Sequence, residues 1–300
     1  MKAVLAHGPE DWRLTQLDEP GGAWVLEVEA TGVCAADRML WTGRHPWGEL
    51  PWPFVPGHEV LARVVDGPLP AGTRVTAEVL LPDGRHLGSG IPGGFAERLA
   101  LPSDALVHVV PESLTREQAV LAEPMACALH AVRRAGVTDG DRVLVAGLGG
   151  LGALAAVAAR AEGAAYVTAL VRTSEKALLA GALGYDDVTS DPGDAAYDVG
   201  LDVSGDVDAV DALLSAVRVG GRVGAYGVYD RPWSLDLNRM AELGERQVTG
   251  GHLAPGCFPD AIALLDRVDG ALVVTGTHPL ERVTDALTKP SPRLKEIVVP

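Results

Sequence analysis

The alternation of apolar and polar positions changes character once along the chain. Through about the first 125 residues, short β-branched runs such as WVLEVEA, VLARVV and TRVTAEVLL are separated by turn formers, among them EPGG, DGPLPAG and PDG. Runs of period two between Gly- and Pro-rich turns predict the strands of a compact antiparallel β domain. From Asp141 onward strand-like and helix-like stretches take turns: RVLVAG, an Ala-rich helix to Glu162, YVTALV, a helix through KALLAGAL, and YDVGLDV. The helix VDAVDALLSAV and the strands RVGAYG and RQVTG follow. This order predicts an α/β, doubly wound parallel sheet. The tail from about Leu272, with LVVTGTHPLERV and KEIVVP, reads as Pro-interrupted strand and is expected to rejoin the first domain. The expected division is therefore residues 1–125 with 266–300, and residues 126–265.

Composition narrows the function. A hydrophobic content of 47% can fill cores of this size. The formal charge of −15 repels phosphate backbones and anionic membranes, so nucleic acid and membrane are not expected partners. A bound nucleotide would need local backbone donors and local cations. Cys34, Cys127 and Cys257 are too few and too scattered for a disulfide framework, which points to a reducing compartment. The first residues do not read as a signal peptide, and a cytoplasmic location is expected. The uncharged run 143–159 approaches the lower limit of a membrane span, but its glycines divide it into a strand and a helix.

Gly147, Gly149 and Gly152 form G-x-G-x-x-G directly after the strand RVLVA and at the mouth of a helix. In that context, small residues let backbone approach a pyrophosphate, and the helix N-terminus offers it unpaired N–H groups. The bland alternative is tight helix-on-strand packing. The expected dinucleotide site takes in Gly147, Leu148, Gly149, Gly150, Leu151 and Gly152, then Arg172, Thr173 and Lys176, then Ser204, Gly227 and Val228. An NAD site usually carries an acidic residue at the end of the second strand. Here Val171 stands there, followed by Arg172, so NADP(H) is expected to be preferred over NAD(H). Arg172 could instead lie over the adenine or point to water.

The first half also contains T-G-V-Cys34-A-A-Asp37, P-G-His58-Glu59 and Glu123-P-M-A-C-A-L-H. Thiolate, imidazole and carboxylate are ligand types that zinc takes, and a catalytic zinc keeps one position open. Taken singly, such residues are more often buried thiols or ordinary histidines. In this order, ahead of the glycine motif, they make the chain resemble the zinc-containing medium-chain dehydrogenases, above all the polyol and threonine dehydrogenase branch. GGFAERLALP, EPMACALHAV, GDRVLVAGLGGLG, DVSG and GVY fall in that family's order over nearly the whole chain.

The resemblance implies a GroES-like β-rich catalytic domain, a Rossmann domain, an active site in the cleft between them, and hydride exchange between a nicotinamide and an alcohol or carbonyl. It implies one catalytic zinc, Zn(2+), held by Cys34 and His58, with Glu59 and Glu123 as carboxylates that exchange with water. Which carboxylate binds directly stays open. Asp37 would hold the His58 imidazole through its other nitrogen; the alternative for Glu59 and Asp37 is a plain charge pair. A small-molecule substrate and a homodimer or homotetramer are expected.

Two features depart from the family. Between Glu78 and Gly94 stands VLLPDGRHLGSGIPG, which cannot supply a four-cysteine structural zinc site. Ala36 stands where the alcohol dehydrogenases place a proton-relaying Ser or Thr. Water, Thr42 or His45 then takes over the relay, or the substrate needs none, as in reduction of an imine or conjugated alkene by NADPH. A binding protein with a decayed site is the reading from another class. Trp41, Trp47, Trp52 and Phe54 either line the substrate pocket, hinting at an apolar or ring-shaped substrate, or belong to the core.

Overall fold

The computed structural model describes residues 1–289 and 293–300. They form two compact units, Met1–Glu123 with Phe258–Pro300, and Pro124–Cys257. The second division lies earlier than the sequence suggested. Phe258 stacks on His108, and Gln118 Nε2 donates to the carbonyls of Leu265 and Val268. These contacts tie the helix Phe258–Leu264 and the turn after it to the first unit.

The first unit is β-rich. Its main sheet runs in the order Val274–Pro279, Lys295–Val299, Trp24–Val33, Glu59–Asp66, Arg74–Ala77, Val107–Val109, and Arg98–Leu101 also pairs with Trp24–Val33. Every pairing is antiparallel except that of Val274–Pro279 with Lys295–Val299. Trp24, Leu26 and Val28 face the core at a spacing of two and meet Val60, Ala62, Val64 and Leu99 there. From Ala30 to Val33 every residue is buried, because the strand is covered on both faces at that end. A second apolar cluster, including Trp12, Leu40, Phe54, Phe95, Leu280 and Val298, packs under the helix Ala35–Thr42. Gly43, at φ +69°, ends that helix in the left-handed conformation a glycine adopts without strain.

The second unit is a six-stranded sheet, parallel throughout. Its order is Asp187–Thr189, Tyr166–Leu170, Arg142–Ala146, Tyr197–Asp202, Val217–Ala225, Gln247–Gly250. With strands counted in chain order this is 3-2-1-4-5-6, the Rossmann arrangement, and chain direction across the sheet reverses beside Arg142–Ala146. The central strands are continuous apolar runs rather than alternating ones, as burial on both faces requires. The uncharged run 143–159 is divided between the strand Arg142–Ala146 and the helix Gly152–Ala161. Among the described residues, no helix is long and apolar enough to cross a membrane.

Candidate active site

In the β-rich unit, strand register assembles the ligand candidates. Gly32 lies opposite Glu59 in the antiparallel ladder. The end of one strand therefore delivers Cys34 beside the start of another, which delivers His58 and Glu59. The ligand atoms of these three side chains lie within 4.8 Å of one another. Two motif glycines are demanded by this arrangement. A Cβ on Gly32 would overlap Glu59 Oε2, so the carboxylate fills the space a side chain would need. Gly57 has φ +92°, and a Cβ there would press on Phe95 at 3.0 Å.

Asp37 is fully buried in the first turn of the helix Ala35–Thr42. Its Oδ2 accepts the Cys34 N–H at 2.8 Å. Its Oδ1 has no hydrogen-bond partner and faces His58 Nδ1 at 3.9 Å. That distance is too long for a hydrogen bond, so the two groups act on each other through charge. Burial pushes the Asp37 carboxyl above the usual range. Burial works the other way on His58, but Asp37, Cys34 and Glu123 outweigh it and hold the imidazole well above its ordinary value. A metal takes imidazole in its neutral form, so uptake of an ion here would release a proton.

Glu59 is already engaged. Both its oxygens accept from Lys295 Nζ, at 2.6 and 2.7 Å, and both side chains are buried. Lys295 arrives on the C-terminal strand, whose Ile297 pairs with Gly32. Burial pushes its ammonium down, yet Glu59 and Cys34 raise it above its ordinary value. The sequence reading passed over Lys295, although a lysine at the head of the apolar strand KEIVV was a signal. Glu123 is buried in the first turn of the helix Ala122–Arg134. Among the described residues the close cluster does not extend to it, but its charge reaches both His58 and Lys295. A thiolate, an imidazole and a carboxylate converging on one point, with an orphaned Asp37 oxygen behind the imidazole, form a donor set that fits zinc.

The proposed relay substitutes fare unequally. Thr42 Oγ1 donates to the Arg38 carbonyl at 3.0 Å, within its own helix. His45 stacks on Trp47, ring centroids 5.6 Å apart, with Nδ1 buried and unpartnered. It is not one of the three clustered ligands. Of the aromatics, Phe54 is core and stacks on Trp52 at 4.5 Å, Trp41 packs edge-on against Trp12, and Trp47 is exposed.

In the nucleotide unit each motif glycine has its own reason. Gly147 turns at φ +99°, where a Cβ would lie 2.8 Å from Ser204. Gly149 has open space where a side chain would go, the room a pyrophosphate requires. A Cβ on Gly152 would overlap the Gly147 carbonyl. Leu148 is buried, Leu151 precedes the helix, and no side chain caps the helix N-terminus, where the Ala153 and Leu154 N–H groups donate to the Gly149 and Leu151 carbonyls. Thr173 is the residue before the helix Ser174–Ala180, and Lys176 lies in its first turn. Val171 is buried; Arg172 is exposed and paired with Asp206.

The loops after the fourth and fifth strands pack backbone to backbone. A Cβ on Gly227 would overlap the Gly205 N–H, and one on Gly205 would strike the Val228 carbonyl at 2.5 Å. Asp202, wholly buried, holds this corner by accepting from Ser204 N at 3.0 Å, Ser204 Oγ at 2.5 Å and Tyr229 Oη at 2.6 Å. Burial and Asp202 together raise the Tyr229 phenol far above its ordinary value. Neither Asp202 nor Tyr229 was singled out from sequence, although the DVSG and GVY segments contain them.

Two family models match this chain. Residues 20–112 match the alcohol dehydrogenase GroES-like domain, and residues 150–268 match the zinc-binding dehydrogenase domain. The erythritol/L-threitol dehydrogenase of Mycolicibacterium smegmatis is 32% identical, over 91% of this chain and 88% of that protein. Among solved structures, 2R,3R-butanediol dehydrogenase from Bacillus subtilis superposes with a TM-score of 0.89 at 24% identity, covering 100% of this chain and 99% of the other. A zinc-binding dehydrogenase of Sinorhizobium meliloti 1021, solved bound to NADP, gives 0.89 at 23% identity with the same coverage.

Proposed function

This chain belongs to the zinc-containing medium-chain alcohol and polyol dehydrogenase family, and we propose that within it the protein exchanges hydride between NADP(H) and a small secondary alcohol of the polyol class. One observation carries the reading, the convergence of Cys34, His58 and Glu59 within 4.8 Å. The polyol class is supported by the similarity to an erythritol/L-threitol dehydrogenase. The core position of Phe54 and the exposure of Trp47 weaken the case for an apolar, ring-shaped substrate.

Bound zinc would supply a Lewis acid for the substrate oxygen, and bound nicotinamide the hydride acceptor or donor. Cys34 and His58 would hold the ion, with Glu59 as a third donor. Asp37 fixes the imidazole from behind by charge. Lys295 neutralises Glu59, so the carboxylate does not cancel the ion's charge as fully as a free one would. Gly149 leaves the pyrophosphate its space.

NADP(H) preference rests on Val171 and Arg172. A charge-assisted contact with the 2′-phosphate contributes about 1.5–3 kcal/mol, or roughly tenfold to a hundredfold in affinity. Arg172→Ala should therefore erase most of the difference between NADPH and NADH in parallel fluorescence titrations. A wild-type protein that binds NADH more tightly defeats this part of the reading.

Ala36 motivates a second reading, reduction of an imine or conjugated alkene. It is half-buried beside Cys34, and the nearby Thr42 hydroxyl is spent on its own helix. If the substrate is an alcohol, Ala36→Ser should speed its oxidation about a hundredfold, the lower end of what a positioned proton donor contributes. Rates of both proteins on a panel of polyols, ketones, imines and enones decide it. Turnover confined to imines or enones, slowed by the serine, would replace the polyol assignment.

A further inference from the structure

Arg172 does not stand alone in the nucleotide unit. It follows the second strand, Tyr166–Leu170, and pairs with Asp206, which follows the fourth, Tyr197–Asp202. Those two strands flank the glycine-motif strand Arg142–Ala146 on either side. The ion pair therefore spans the carboxyl end of the strand at the switch point, the crevice where Rossmann sheets seat their ligands. A second guanidinium joins it from the loop beyond the fifth strand. Arg231 Nη2 lies 3.9 Å from the other Asp206 oxygen and 2.6 Å from Asp208 Oδ1.

The Asp206 carboxylate is the fixed member of this group. Its Oδ1 accepts the Asp208 N–H at 2.9 Å as the N-cap of the helix Val207–Ala216, and its own N–H donates to Ser204 Oγ at 3.1 Å. Arg172 and Arg231 are 71% and 53% exposed, so both can turn toward a ligand. The anionic side of the group is Asp206, Asp208 and Asp230, whose charge also reaches Arg231. Carboxylates thus outnumber guanidiniums, and only Asp206 stands within ion-pairing reach of both.

We propose that Arg231 is a second specificity residue for the adenosine 2′-phosphate, and that Asp206 holds the place between Arg231 and Arg172 which that phosphate takes. A dianionic phosphate offers both guanidiniums a stronger acceptor than one carboxylate and can draw them away from it. A ribose 2′-hydroxyl carries no charge and cannot. Asp206 accordingly opposes the phosphorylated cofactor while keeping both arginines in position for it. This inference rests on the NADP(H) reading above and adds to it two residues that the sequence did not point to.

The test is calorimetric titration of the full chain with 2′,5′-ADP and with 5′-ADP. Arg231→Ala should weaken 2′,5′-ADP about threefold to tenfold and leave 5′-ADP unchanged. Asp206→Asn keeps the helix cap, because asparagine caps as well as aspartate. It should tighten 2′,5′-ADP roughly twofold to fivefold, again without effect on 5′-ADP. If the wild-type chain binds the two probes equally, the NADP(H) reading falls and this inference with it. If wild type favours 2′,5′-ADP and Arg172→Ala removes that preference, but Arg231→Ala changes nothing or Asp206→Asn weakens the probe, the inference alone is overturned.

Discussion

Replacing Cys34 by alanine is expected to lower turnover about a thousandfold or more and to empty the metal site, with dinucleotide affinity unchanged. Cys34 is the one thiolate of the cluster and supplies an anionic ligand that Lys295 does not already neutralise. Without it the ion keeps an imidazole and a carboxylate held at both oxygens by an ammonium, too weak a set to retain zinc against buffer. The backbone keeps the bond from the Cys34 N–H to Asp37, which alanine also makes, and loses only the Cys34 sulfur's cap on the Asp37 N–H. The nucleotide motif lies in the other unit, Pro124–Cys257, so NADPH titration serves as the internal control. Elemental analysis should find about one zinc per wild-type chain and almost none in the variant. A variant that keeps zinc and full activity removes Cys34 from the site, and two tightly held ions per wild-type chain would show that a second ligand set exists.

The two-unit α/β architecture was legible because each half repeats its own period over many residues, and the glycine motif sits where strand passes into helix. The helix Ala35–Thr42 was not read in advance. It is eight residues long, inside a Pro- and Gly-rich half, and it forms because Asp37 bonds back to Cys34 and its Leu40 finds an apolar cluster. The strand Asp187–Thr189 also escaped notice. It is a three-residue edge strand, exposed to half-buried, so no apolar run announces it.

The site divides along the same line. Cys34, His58, Glu59 and the glycines stand in local motifs whose spacing carries chemical meaning, and the register of two neighbouring strands then brings them together. Lys295 reaches Glu59 across 236 positions of sequence, and Arg231 and Asp206 meet only through the order of strands in the sheet. Pairings of that kind arise from topology, and no periodicity encodes them. His45 adds a local case. It was suggested as a substitute proton relay, and its ring stacks on Trp47 with Nδ1 buried and unpartnered, a contact that no motif announces.

Lys295→Met should destabilise the zinc-free β-rich unit by about 3–5 kcal/mol, because it leaves a buried carboxylate without its counter-ion. Methionine matches the aliphatic length of lysine, so little of that loss comes from packing. The Glu59 carboxylate cannot swing aside, since it fills the niche left by the missing side chain of Gly32. At about 2–4 °C per kcal/mol for a unit of this size, the melting temperature should fall by roughly 6–20 °C. The double variant Lys295→Met/Glu59→Gln exchanges a charged pair for a neutral one and should recover most of the loss, as buried ion pairs replaced on both sides often do. Zinc separates the two duties of the lysine. In the single variant Glu59 has lost its ammonium partner and bound zinc would balance its charge where it stands, so added zinc should raise the melting temperature more in Lys295→Met than in wild type. Scanning calorimetry of the wild type and both variants, with chelator and with zinc, reads all of this. A shift below about 2 °C in the zinc-free single variant, or a double variant no more stable than the single one, would mean that the Lys295–Glu59 pair does not hold this site together.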